Sequence, residues 1–204
     1  LLKGGRLQET VRNFVLDNSR TPNEVWGDMQ AMISALKSMD RRLNELCGRY
    51  GADEVVHGMQ DVIALAEIKA RGVYGKIPDG SYEFADFVEG IDEGEYYQIK
   101  LKMTVEGDSV ALDFTGTDPQ MPSAYNFICG GSTHPYICQA LVNYVLTVLP
   151  DAPKNAGLLR PITTNVPRGT LINAEPPAAM GSRVASGTRV YDTVIGCLNE
   201  ALPD

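Results

Sequence analysis

Residues 21–51 read TPNEVWGDMQAMISALKSMDRRLNELCGRYG, and this stretch decides the first part of the fold. Thr21 and Glu24 have the spacing of a capping box, and Pro22 suits the first position of a helix. Gly51 predicts where the helix ends, because glycine readily adopts left-handed backbone. Between these signals the apolar residues are spaced 4, 3, 4, 3, 4 and 3, which predicts one long helix with a heptad seam. These apolar residues are Val25, Met29, Met32, Leu36, Met39, Leu43 and Leu46.

A second helical pattern follows almost at once. Asp53 is a suitable N-cap, and apolar residues recur on one side as far as Val73. With only about four residues between them, helices at about 22–48 and 53–74 are expected to form an antiparallel hairpin. The apolar seam is broader than one partner helix needs, so either the rest of the chain or another subunit is expected to cover it.

The chain changes character at Pro78. Residues 1–77 hold one of the 12 prolines, and the apolar residues from there on alternate as in β-strands. We therefore expect an α+β fold: a helical segment at 1–77, then an antiparallel-strand-rich segment with two further helices at 78–204. The expected strands are 82–88, 97–105, 110–114, 162–166 and 170–173, and the helices follow 133 and span about 186–201.

Composition excludes several classes of protein. The chain has 18 basic and 26 acidic residues, a net charge of −8, which argues against nucleic-acid binding. It contains no apolar run that could cross a bilayer and no secretion signal, so we expect a cytoplasmic protein without a membrane partner. Four widely spaced cysteines and two histidines give no metal-binding pattern. A start at Leu1 rather than Met suggests an internal piece of a longer subunit.

Three polar constellations remain once the common hydrolase, phosphate-loop and dinucleotide motifs are found to be absent. Residues 113–118 (DFTGTD) place Asp113 at a strand end, where it either accepts local hydrogen bonds or acts as a base or ligand. Residues 130–133 (GGST) precede a helix and either receive an anion or supply an N-cap, Ser132 or Thr133. Residues 154–157 (KNAG) are most simply a turn built on Asn155.

These constellations belong to a longer series of short motifs that resembles the hydantoinase B family. The motifs occur in the family's order along nearly the whole chain, which makes the resemblance specific. They are Arg20-Thr21-Pro22, Gly27-Asp28, Arg49-Tyr50-Gly51, Pro78-Asp79-Gly80, Asp113-Phe114-Thr115-Gly116-Thr117, Asn126, Lys154-Asn155-Ala156-Gly157, Arg160-Pro161 and Pro176-Pro177-Ala178.

The resemblance implies part of an ATP-dependent cyclic amidohydrolase of the N-methylhydantoinase or 5-oxoprolinase type. Such a subunit works with a hydantoinase A-type partner in a homo- or hetero-oligomer, where water attacks a phosphate-activated amide of a small cyclic substrate. The alternatives are the large subunit of an ATP-dependent ketone carboxylase, and a scaffold that contacts other subunits while catalysis lies elsewhere. The stretch alone is expected to be inactive.

The resemblance also implies candidate site residues. Asp113 or Asp118 would orient polar groups, and Arg160 would counter negative charge. Further candidates, for contact with substrate or for holding loops, are Thr115, Asn126 and Asn155. The family's Gly-rich segments with His and Asp, which resemble its metal site, lie upstream of this region, so no residue here is assigned to a metal. ATP and a divalent metal are expected in the full complex, and no cofactor is expected to be bound by this stretch.

Overall fold

The computed structural model describes residues 1–130 and 133–202. Contacts along the chain divide it into two compact units, Leu1–Met59 and Gln60–Asp204. None of the described helices is both long enough and apolar enough to cross a membrane.

The first unit is mainly helical. A short antiparallel hairpin of β1 and β2 opens it, turning through Gly4 and Gly5, which both have positive φ. Helix α1 follows and contacts α2, with the Arg12 guanidinium 5.5 Å from the centre of the Trp26 ring. The elements are β1 (Leu2–Lys3), β2 (Arg6–Leu7), α1 (Glu9–Asp17), α2 (Pro22–Tyr50) and the start of α3 (Ala52–Tyr74).

The two long helices confirm the expected helical N-terminal region. Pro22 is the first residue of α2, and Gly51, with φ of 87°, ends it. The predicted capping box is wrong: the Thr21 side chain makes no capping bond, and its carbonyl accepts from the Val25 N–H at 3.0 Å. Asp53 likewise lies in the first turn of α3 rather than before it. Because α3 crosses the boundary between the units, the antiparallel packing of the hairpin stays a prediction.

The second unit is built on a four-stranded mixed sheet in the order β3-β4-β5-β6. The three antiparallel strands agree with the alternation in the sequence. The fourth strand runs parallel to its neighbour, and residues 170–173 form only isolated bridges, so the strand predicted there is wrong. The strands are β3 (Gly80–Glu89), β4 (Tyr96–Glu106), β5 (Ser109–Asp113) and β6 (Ile162–Asn165).

Helices cover one face of this sheet. Helix α5 (Val184–Ala201) packs against β3 and β4, and α4 (Pro135–Val148) packs against α5. Gly196 allows α5 to approach the sheet closely, since a Cβ at that position would overlap the Phe84 ring. The fully buried side chains include Tyr74, Ile99, Leu101, Met103, Leu112, Phe114, Ile137, Leu141, Leu158, Leu171 and Ile172. The α+β fold with two further helices is therefore confirmed.

Candidate functional site

A polar cluster lies where the two parallel strands end. Asp113 is the last residue of β5 and Asn165 is the last of β6, and the register places them side by side. The Asn165 side-chain amide donates to Oδ1 of Asp113 at 2.9 Å and to Oγ1 of Thr115 at 3.2 Å. We call these three residues the Asp113 cluster.

The carboxylate of the Asp113 cluster is held in its ionised form. Its Oδ1 also accepts from the Thr115 hydroxyl at 2.6 Å and from the Thr115 backbone N–H at 3.0 Å. The Thr115 hydroxyl bond does most to lower the pKa of Asp113, with help from the backbone bond, from Asn165 and from Lys102, its cross-strand neighbour. A carboxylate with a lowered pKa is a weak general base at neutral pH, but it can orient polar groups or cations.

The turn after Asp113 extends the sheet beyond the end of β5. Gly116 has φ of 96°, a value that a residue with a side chain adopts only with strain. Thr117 then donates its hydroxyl to the Lys100 carbonyl at 3.2 Å, and Asp118 accepts the Gln98 N–H at 2.7 Å. These contacts attach the turn to the part of β4 that β5 does not reach. The contacts of Asp118 therefore favour a structural role.

Arg160 lies at the opposite end of the strand pair. The register runs from Val110 beside Ile162 to Asp113 beside Asn165, three strand steps or about 10 Å. Arg160 comes before Ile162, so the structure does not bring it to the Asp113 cluster.

Arg160 instead belongs to a chain of ion pairs on α3. Its guanidinium lies 3.1 Å from Glu67, which also pairs with Arg71 at 2.9 Å, and Arg71 pairs with Asp108 at 2.8 Å. The hydrogen bonds from Arg71 and Arg160 lower the pKa of Glu67. These contacts favour a role for Arg160 in joining the start of β6 to α3.

Asn155 attaches its loop to the same helix. Its side-chain oxygen accepts the Gly157 N–H at 2.8 Å, and its amide donates to the Val62 carbonyl at 3.2 Å. Gly157 permits this close approach, because a Cβ there would overlap the Ile63 carbonyl oxygen. The expected turn is in fact a 3-10 helix, Ala156–Leu159, with Asn155 as its N-cap.

Asn126 is fully buried and satisfies four backbone groups. Its oxygen accepts the Met121 N–H at 2.8 Å. The two hydrogens of its amide are shared among the carbonyls of Met121, Ser123 and Ala179, which lie 2.8, 2.9 and 3.1 Å from the nitrogen. This set of bonds fixes a loop, and it leaves the amide no exposed surface with which to contact a substrate.

The start of α4 differs from the expectation. The N-cap is His134, whose Nδ1 accepts the Tyr136 N–H at 3.2 Å, so the prediction of Ser132 or Thr133 is wrong. Burial, together with nearby Arg183, lowers the pKa of His134 and so favours the neutral ring that this acceptor role requires. The predicted anion site at 130–133 includes residues 131 and 132, which lie outside the described residues.

The described residues contain no cluster of metal ligands. Within residues 1–130 and 133–202, no group of three or more His, Cys, Asp or Glu side chains is placed to hold a metal ion. The described residues therefore do not form a site for the divalent metal that the family resemblance implies for the full complex.

The structure brings together Asp113, Thr115 and a residue that sequence reasoning missed, Asn165. The only signal for Asn165 was its position at the end of a predicted strand, because nothing in the sequence showed that this strand lies beside β5. Taken together, these features define an α+β protein with a helical N-terminal region and an ionised polar cluster where the two parallel strands of a mixed sheet end.

The family model described as Hydantoinase B/oxoprolinase matches residues 1–204, and the chain belongs to that family. A protein of Pseudomonas sp. (strain NS671), provisionally named as the B-type subunit of a D-/L-hydantoinase, is 33% identical over 95% of this chain and 34% of its own length. The chain thus spans about a third of the length of this relative and of the caprolactamase subunit beta of Pseudomonas jessenii.

Two solved structures are similar to this chain. The crystal structure of the ATP-dependent caprolactamase from Pseudomonas jessenii matches 100% of this chain and 35% of its own, with a TM-score of 0.86 and 27% identity. A nucleotide-free structure of acetone carboxylase matches 89% of this chain and 25% of its own, with a TM-score of 0.78. At 16% identity, the second likeness shows the fold alone.

Proposed function

We propose that this chain is part of the B-type subunit of an ATP-dependent enzyme that opens a cyclic amide by hydrolysis. The observation that carries the proposal is the match of the entire chain to the ATP-dependent caprolactamase, at 27% identity and a TM-score of 0.86. The similarity to the B-type subunit of a hydantoinase points to the same kind of substrate, a ring containing an amide bond. The acetone carboxylase likeness is weaker in sequence and supports no more than the fold.

The proposed complex includes a hydantoinase A-type subunit, ATP and a divalent metal bound outside this stretch. Transfer of the γ-phosphoryl group of ATP to the amide oxygen, with release of ADP, would withdraw electrons from the carbonyl carbon, so that water adds there. The ring C–N bond would then break with the nitrogen leaving as an amine, and hydrolysis of the resulting acyl phosphate would release inorganic phosphate and the carboxylate. The naming of two relatives as subunits supports a partner of this kind. We place the complex in the cytoplasm, in keeping with the free thiols of Cys47, Cys138 and Cys197.

Within this chain, we propose Asp113 as the residue that orients polar groups near the reacting amide. Its lowered pKa keeps the carboxylate charged at neutral pH, and the Asn165 and Thr115 bonds fix its direction. Asp118 and Arg160 stay weaker candidates, because Asp118 attaches its turn to β4 through the Gln98 N–H and Arg160 pairs with Glu67 away from the Asp113 cluster. The structural contacts of Asp118 and Arg160 also favour a second function for this chain, that of a scaffold whose polar residues only hold loops.

The experiment that tests the reaction class is a substrate panel with the full complex. The two subunits are produced together, and ADP release is measured with hydantoins, 5-oxoproline, caprolactam, and ketones plus bicarbonate. We expect ADP release to accompany ring-opened product with at least one cyclic amide. ADP release with ketone and bicarbonate alone would overturn the proposal in favour of carboxylation.

A second experiment separates a site in this chain from a scaffold. Asp113→Ala and Asp113→Asn are compared in the full complex, with Asp151→Ala, an exposed aspartate in another loop, as the matched control. If Asp113 orients reacting groups, kcat falls by about tenfold or more while the complex stays assembled. Unchanged turnover in both Asp113 variants would support the scaffold instead.

A further inference from the structure

Helix α2 carries a long apolar stripe, of whose eight residues five are exposed and three are half-buried. We call its eight residues the α2 seam, and they continue the alternation of four and three residues to the last residue of the helix. No residue of α2 is buried, and Leu36, near the middle of the seam, is 58% exposed. The α2 seam consists of Val25, Met29, Met32, Leu36, Met39, Leu43, Leu46 and Tyr50.

A heptad stripe of this length is the pattern by which helices pair. Each apolar side chain inserts between four residues of a facing helix, and this contact removes the stripe from water. A chain that leaves the side chains of Met32, Leu36, Met39 and Leu46 exposed to water carries an unfavourable free energy that burial against a partner helix removes. The residues that border the stripe then select which helix fits and in which direction.

Charges beside the α2 seam are distributed unevenly along the helix. One border of the stripe is formed by the residues that directly precede Met29, Leu36, Leu43 and Tyr50 and so recur every seven residues. These border residues are Asp28, Ala35, Arg42 and Arg49. The acid therefore lies near the start of the helix and the two bases lie towards its end. The Arg49 side chain stays beside the stripe, with its guanidinium 5.1 Å from the centre of the Tyr50 ring.

We propose that α2 pairs in antiparallel fashion with α2 of a second copy of this chain. The two-fold axis would lie between Leu36 and Met39, so that each Leu36 faces Met39 of the second copy. In this alignment Asp28 of each copy faces Arg49 of the other, which forms two ion pairs related by symmetry. The same border thus complements itself when the helix is reversed.

A parallel pair does not give this match. In a parallel pair, a residue on this border meets the residue five positions onward on the opposite border of the second helix. Asp28 would therefore face Ile33, and Arg42 would face Cys47. Neither contact pairs opposite charges. The charge pattern therefore favours a second copy bound antiparallel over a parallel pair.

The test measures the association of the full-length subunit by sedimentation, without its proposed partner subunit. We expect a dimer, and we expect Asp28→Arg or Arg49→Asp alone to raise the dimer Kd about tenfold or more, because two attractive pairs become repulsive. The double variant D28R/R49D restores both pairs with reversed signs, so its Kd should return towards that of the wild type. Arg41→Asp, a charge reversal on the opposite side of α2, is the matched control and should leave the Kd unchanged.

Two results would overturn the proposal. One is a wild-type subunit that stays monomeric. If Leu36→Glu then weakens its assembly with a different subunit, the α2 seam binds that subunit and not a second copy. The other is a wild-type dimer whose D28R/R49D variant is as weak as the single variants. Circular dichroism of every variant shows that the helices are retained, so that a lost dimer reports the interface and not unfolding.

Discussion

Replacing Asn126 with alanine should destabilise the second unit strongly, because this side chain hydrogen-bonds four backbone groups, three of them buried. Each hydrogen bond contributes about 1 kcal/mol net, and a buried N–H left without a partner costs about 1–3 kcal/mol. The Met121 N–H becomes such a group in Asn126→Ala, since Met121 is 3% exposed. The free energy of unfolding should therefore fall by about 3 kcal/mol, and Tm by about 6–12 °C.

Chemical denaturation and a thermal scan measure this loss. Asn199→Ala is the matched control, because Asn199 is exposed on α5 and its loss should change the free energy of unfolding by less than about 0.5 kcal/mol. A loss below about 1 kcal/mol for Asn126→Ala would refute the reasoning that these bonds hold the loop. In the full complex, the folded Asn126→Ala protein should keep its KM, since Asn126 is buried away from any substrate.

Three further predictions concern single side chains. Gly157→Ala should lower the free energy of unfolding, measured by denaturation, by about 2 kcal/mol or more, because the new Cβ overlaps the Ile63 carbonyl. In the control Gly187→Ala, where nothing lies within 4 Å of the new Cβ, the free energy of unfolding should stay the same or rise. The lowered pKa of Asp113 gives stability that is present above its ordinary pKa near 4 and is lost as pH falls through the lower folded value. The Tm advantage of the wild type over Asp113→Asn should therefore shrink on acidification below about pH 4, and a constant difference would contradict it. Burial raises the pKa of Cys138 to about 12 and of Cys197 to about 11. A thiol reagent at pH 8 should therefore modify the partly exposed Cys47 first. Equal rates of modification for the three thiols would contradict the burial of Cys138 in α4 and of Cys197 in α5.

The sequence predicted the elements whose signal is local. The heptad spacing located α2, and strict alternation located β4 and β5, because each pattern arises from one face of one element. The capping box failed because Thr21 has a backbone conformation that keeps its side chain from the N–H groups of the first turn. The strand expected at 170–173 failed because alternation alone cannot show whether a neighbouring strand is available to pair with it.

The candidate site was only half predictable for a related reason. Asp113 and Thr115 are neighbours in sequence, and their hydrogen bonds follow from the turn that they share. Asn165 lies 52 residues away from Asp113, and only the parallel pairing of β5 with β6 brings it there. Arg160 was grouped with Asp113 by the family resemblance, whereas the register places it at the other end of the same strand pair.

An isotope experiment with the full complex tests the proposed reaction most directly. The complex is given ATP and a cyclic amide in water enriched in oxygen-18, and in parallel a ketone with carbon-13 bicarbonate, and the products are identified by mass spectrometry. Hydrolysis of the ring predicts oxygen-18 in a newly formed carboxylate and no carbon-13 product. Carbon-13 in a new carboxylate, with the cyclic amide unchanged, would contradict the assignment as a cyclic amidohydrolase.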